Sequence, residues 1–240
     1  MRRGLGRDDG RRAPHDARRL ARRHPGHPPL SRPRTRVVAT ASGDARVHLH
    51  AAARAGALVC LGHGAGGGVD APDLRAVSAR LISEGHAVAL VEQPYRVAGR
   101  RAPVTVAARL DEAFRAAVAA ARAETGEVPL VVGGRSAGAR VACRTALSLG
   151  AAGVVALAFP LHPPGRPERS RLEELLGAGV PVLVVQGERD PFGRPGEFPA
   201  APDTTLVAVP GDHTLTADLD AVAAAVSGWV DALGQAGRPA

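Results

Sequence analysis

Ser136 is the residue in this chain best placed to do chemistry. It stands in Gly134-Arg-Ser-Ala-Gly138, after the apolar run Pro129–Val132 and before the helix-compatible segment Ala139–Ser148. A serine that attacks a carbonyl carbon must stand at the tip of a sharp turn, and glycines on either side remove side chains that would collide there. A helix starting behind the serine points free N–H groups toward charge developing on the attacked oxygen. The chemistry implied is acyl transfer. In a chain with 29 Gly the same spacing also fits a plain glycine-rich turn between strand and helix, so the partners decide.

An isolated hydroxyl is a poor nucleophile at neutral pH and needs a base. Of nine histidines, His15, His24 and His27 lie near the amino terminus, His48 and His50 in a hairpin, and His86 before a strand at its far end. His63, His162 and His213 remain. His213 follows the last strand, where a base would be expected; otherwise it caps the last helix. Asp190 is the candidate to accept from its Nδ1–H and stabilise the imidazolium, with Glu188 and Asp212 as rivals. The glycine-rich stretch Gly64–Gly68 is followed by no Lys-Ser/Thr, and the chain has no lysine, which argues against a phosphate loop. It suits an oxyanion hole instead, with the N–H of Ala137 as one donor and that of Ala65 or Gly66 as the second. His63 reads as a residue that orients this loop.

The elements that must position these groups alternate. Arg36–Thr40 and Arg46–His50 form a hairpin about Ser42-Gly-Asp44. Apolar runs at Ala57–Leu61, Ala87–Val91, Pro129–Val132, Gly153–Phe159, Pro181–Gln186 and Thr205–Val209 read as further strands, eight in all. Between them lie helical stripes: Leu74, Val77 and Leu81; Val106, Leu110, Phe114, Ala117 and Ala121; a short helix at Leu172–Leu176; and Leu219 to Leu233. The expected fold is α/β, a mostly parallel eight-stranded sheet with helices on both faces and an antiparallel hairpin at one edge. Every candidate follows the carboxyl end of a strand, where such sheets bind ligands. The order serine, acid, histidine is that of α/β-hydrolases. The interval Pro160–Val180 is short and stiffened by Pro160, Pro163 and Pro164, so no large cap domain is expected and the cleft should be open. Around it stand Arg135, Arg100, Arg101 and His162, candidates for substrate binding; the arginines either tie loops to Glu92, Glu188 or backbone carbonyls, or at least one holds a carboxylate or phosphate of the substrate.

A hydrophobic content of 45% supports a full core. Cys60 and Cys143 lack metal-ligand spacing and lie in apolar segments, so a reduced, cytoplasmic protein is expected, with no metal and no cofactor. No run approaches the ~18 apolar residues of a membrane span. The net charge is +8, yet residues 1–36 hold twelve Arg and three Asp, which is +9, so the rest of the chain carries −1. Residues 1–34 read as a basic, disordered, dispensable extension, and an over-extended start in an arginine-rich coding region accounts for them equally well. Without interleaved aromatics for stacking, nucleic acid is not the expected partner. The expected partner is a small acyl substrate.

Beyond the serine turn, His63-Gly-Ala-Gly-Gly67, Pro94-Tyr95, Gly99-Arg-Arg-Ala-Pro103, Pro160-Leu-His-Pro-Pro-Gly165, Gln186-Gly-Glu-Arg-Asp-Pro-Phe-Gly193 and Gly211-Asp-His213 follow in order. With these motifs, over about residues 57–215, the chain resembles the α/β-hydrolases of the testis-expressed-thirty and NSL-complex-subunit-three type, related to dienelactone hydrolases. The resemblance implies a Ser136–Asp190–His213 triad and no cofactor. Val104 departs from it, standing where an acidic residue would be expected after the Arg-Arg-x-Pro loop. Two functions compete: a serine esterase or acyl hydrolase, and a binding or scaffold protein on the same fold.

Overall fold

The computed structural model describes residues 32–101 and 106–236. Eight strands form one sheet: β1 (Arg34–Thr40), β2 (Gly43–His50), β3 (Leu58–Gly62), β4 (Ala87–Glu92), β5 (Leu130–Arg135), β6 (Gly153–Leu157), β7 (Val182–Gly187) and β8 (Thr204–Val209). Their order across the sheet is β1-β2-β4-β3-β5-β6-β7-β8. Pairing is antiparallel at β1–β2 and β2–β4 and parallel from β4 onward. Most strands read from apolar runs are central, and β3, β6 and β7 are buried along their whole length; the exception is β8, which like β1 is an edge strand and largely open.

Helices cover both faces, as the amphipathic stripes require. On one face α1 (Pro72–Ser83) and α6 (Leu219–Ala236) bury Leu74, Val77, Leu81, Val222, Val226 and Val230. On the other, α3 (Ala107–Thr125) and α4 (Ala137–Thr145) bury Phe114, Ala117, Ala121 and Val141, joined by Leu175 of α5 (Leu172–Leu176). A one-turn helix, α2 (Pro94–Val97), forms where a plain loop was expected. Between β6 and β7 the helix α5 stands alone, so no cap domain covers the carboxyl ends of the strands.

Details depart from the pattern. The expected helix Ala139–Ser148 starts two residues earlier, ends at Thr145 and gives way to a 3₁₀ turn, Leu147–Leu149. Val106, expected on the buried stripe, precedes the first helical residue and is 67% exposed. The strand expected to reach Phe159 stops at Leu157, because Ala158 takes a φ of 46°. β5 instead runs past Val132 through two glycines, where a Cβ on Gly133 would meet the carbonyl oxygen of Val155 at 2.5 Å. The expected extension, residues 1–34, falls almost wholly outside the described residues, as does Val104.

Candidate functional site

Ser136 links β5 to α4 with φ 52° and ψ −111°, a conformation rare for any residue but glycine. Such a backbone costs about 1–3 kcal/mol and persists where its surroundings over-determine it. Here the N–H of Ser136 donates to Leu157 O at 2.9 Å. The flanking glycines let the turn press onto the end of β3: a Cβ on Gly134 or on Gly138 would lie 2.5 Å from Gly62 O.

The loops after β8 and β7 meet this turn. His213 Nε2 lies 2.9 Å from Ser136 Oγ, and its Nδ1 lies 2.8 Å from Asp190 Oδ2. Asp190 is 1% exposed and accepts two further hydrogen bonds, from Gln186 Nε2 at 2.9 Å and from the Phe192 N–H at 2.8 Å. The Phe192 ring lies against the His213 ring, with centroids 4.3 Å apart. The rival acids point elsewhere. Asp212 binds the N–H and hydroxyl of Thr214, and those bonds hold its carboxyl below the usual range. Glu188 is exposed.

The other two candidate histidines are locked. His63 Nδ1 lies 2.8 Å from Gly64 O and its Nε2 accepts from the Gln93 N–H at 3.1 Å. One nitrogen donates and the other accepts, so the ring is neutral, and burial lowers its pKa further. It orients the glycine loop, as does Tyr95, whose hydroxyl donates to Ala65 O at 3.2 Å. His162 Nδ1 faces Pro163 O at 2.9 Å and its Nε2 faces Glu197 Oε2 at 2.8 Å. Both partners only accept, so both nitrogens carry protons, and these two bonds raise its pKa. The structure thus engages both His162 nitrogens within the protein, which gives the reading of His162 as a substrate contact no support.

Of the amides considered for an oxyanion, Ala137 is the first residue of α4, ahead of any intrahelical acceptor. The loop carrying Ala65 and Gly66 lies against the serine, since a Cβ on Gly64 would stand 3.6 Å from Ser136 Cβ. Arg135 does not reach outward for a substrate. Its Nε pairs with Asp73 Oδ2 at 2.9 Å and its Nη2 donates to His213 O at 2.8 Å. Arg100 does line an open cleft of about 310 Å³, together with Ser42, Tyr95 and Arg109. Glu92 pairs with Arg46, not with these loop arginines. The sequence reading missed Asp73 because an acid in the first turn of a helix is ordinary. Gln186 and Phe192 stood inside a quoted motif, but nothing in their type marked them.

Both cysteines are free and buried, with thiols pushed up to about 12 by burial. Among the described residues one group could gather around a metal ion: Glu84, His86 and Asp231, at the opposite end of the sheet. There Glu84 is already paired with Arg80, and His86 with Asp231. Among the described residues no helix is long and apolar enough to cross a membrane.

No curated protein matches the chain in sequence. Solved structures share its fold at low identity. A serine hydrolase without lid from Xanthomonas campestris is 20% identical, with a TM-score of 0.65 over 88% of this chain and 97% of its own. Est1E from Butyrivibrio proteoclasticus is 15% identical, with a TM-score of 0.67 over 83% and 98%. The mouse alpha/beta hydrolase domain-containing protein 10 is 12% identical, with a TM-score of 0.59 over 83% and 99%. The family model for the alpha/beta hydrolase domain matches residues 55–221, so this chain belongs to the alpha/beta hydrolase family.

Proposed function

We propose that this protein is a serine hydrolase acting on carboxylic esters or related acyl compounds, with Ser136 as nucleophile, His213 as base and Asp190 as the acid that orients it. The observation that carries this reading is the unbroken chain from Ser136 Oγ through both His213 nitrogens to a buried Asp190.

His213 Nε2 takes the Ser136 proton as Oγ attacks the carbonyl carbon, and Asp190 stabilises the imidazolium that forms. The N–H groups of Ala137 and of Ala65 or Gly66 donate to the oxyanion. The tetrahedral species collapses, the leaving alcohol takes the proton from His213, and the acyl group stays on Ser136. Water then attacks the acyl-serine, gives its proton to His213, and the acid departs as Ser136 recovers its proton. These steps need no cofactor.

The absence of a cap fits short, accessible acyl substrates, and Arg100, which lines a cleft walled in part by Tyr95, the residue whose hydroxyl holds Ala65 O, would favour those bearing a carboxylate or phosphate. A fluorophosphonate should label the wild type and leave Ser136→Ala unlabelled. No label on folded wild type, or label surviving Ser136→Ala, would favour a binding protein on a hydrolase fold. With paired esters, Arg100→Ala should raise KM several-fold more for the anionic substrate than for the neutral one; equal changes would make Arg100 structural.

A further inference from the structure

Arg135 sits in the middle of the serine turn, yet its guanidinium is turned onto the start of α1 and onto two other loops. Nε pairs with Asp73, at the start of α1. Nη2 holds the carbonyl of His213. Nη1 packs against Gly64, where a Cβ would lie 3.0 Å away. Asp73 is 0% exposed, and its other oxygen accepts the Leu74 N–H at 2.9 Å.

We propose that Arg135, neutralised by Asp73, is a positioning residue that clamps the base loop and the glycine loop onto the nucleophile turn. The inference rests on the serine-hydrolase reading above. These loops leave β3, β5 and β8 and are far apart in sequence, so only non-covalent contacts set their spacing to the tenths of an ångström that proton transfer demands. A planar guanidinium can serve three directions at once, and an ammonium cannot replace it. A bare cation at this spot would oppose charge forming on the His213 ring. Asp73, whose carboxyl burial pushes up while the Arg135 cation pulls it down, offsets that penalty, so the clamp holds the base without weakening it. Among the described residues, charged groups that act on the ring include Asp190 from the loop after β7 and Asp212 beside it, with Arg189 acting on Asp212.

The test compares Arg135→Lys, Asp73→Asn and the double variant Arg135→Met/Asp73→Leu with wild type. Ester kinetics, melting temperature and an NMR titration of the His213 ring, assigned with His213→Gln, are the readouts. Arg135→Lys should keep the fold but lose about 10–100-fold in kcat, with KM within about threefold. Asp73→Asn leaves the cation uncompensated, so the His213 titration midpoint and the acid limb of kcat/KM should both move down by about half a pH unit or more. The double variant replaces the buried pair by apolar groups, which is often neutral for stability. It should fold, lose kcat like Arg135→Lys and leave the midpoint near the wild-type position. This variant also decides the matter if either single variant fails to fold. A folded double variant with wild-type kcat, or an unmoved midpoint in folded Asp73→Asn, would overturn the proposal and leave a merely structural ion pair. Wild type that neither cleaves esters nor takes the fluorophosphonate would sink the hydrolase reading instead, and the midpoint in Asp73→Asn would then decide the clamp alone.

Discussion

Two of the histidine–carboxylate pairs near the carboxyl end of this sheet can be set side by side, and only one of the two looks like a base. His213 with Asp190 and His162 with Glu197 are matched in length at 2.8 Å. They differ in what the second nitrogen faces. For His213 it is the Ser136 hydroxyl, which can donate or accept; for His162 it is the Pro163 carbonyl, which can only accept. They differ also in the acid, since the side chain of Asp190 is 0% exposed and that of Glu197 is 42% exposed. A carboxylate beside a histidine therefore says little about catalysis by itself. The far side of the ring decides whether the proton can leave.

That contrast can be broken most severely at the acids. Asp190→Asn should keep the fold and cut kcat by about 10³–10⁴-fold, because the wrong tautomer of His213 is then favoured. Glu197→Gln and Asp212→Asn should each keep kcat within about threefold in the same ester assay. A large loss in either, with a mild Asp190→Asn, would exchange the roles assigned here.

Next in size is His162→Gln, which should act on stability with little change in kcat. The imidazolium clamps the loop after β6 to Glu197, and that carboxylate also caps the Arg194 N–H. A half-exposed pair is worth up to about 1 kcal/mol, or roughly 2–4 °C in a domain of this size. Large kinetic losses without a change in Tm would place His162 back among substrate contacts.

The smallest effect is the pH dependence of that clamp. The bonds to Pro163 and Glu197 raise the His162 pKa in the folded state, so its contribution is complete below about pH 6.5 and fades as pH rises through the folded value. The bonds from Arg194 and His162 lower the Glu197 pKa, so its contribution is complete above about pH 4.3 and fades as pH falls through the folded value. The Tm difference between wild type and His162→Gln should thus be widest between about pH 4.3 and 6.5 and narrow toward pH 9. A difference that grows with pH would contradict a charged His162.

Much of the fold is legible in the chain itself. Continuous apolar runs mark strands covered on both faces, the spacing of Leu74, Val77 and Leu81 marks a helix, and the short interval to Val180 excludes a large cap. Ser136, Asp190 and His213 can be named as candidates because each follows a strand end. These are local signals, written in periodicity and turn chemistry. Which side chains meet is another matter. The strand order brings the loops after β5, β7 and β8 together, and only the loop paths select Asp190 over Asp212, one residue from the histidine. Likewise the sequence leaves Arg135 open between a loop tie and a substrate contact, and His162 looks like an uncommitted ligand. Their partners, Asp73 and Glu197, are remote in the chain, and a hydrogen bond between remote residues exists only once the backbone between them is folded. Protonation and orientation depend on those contacts, so the tertiary structure alone decides which groups are locked and which remain free to react.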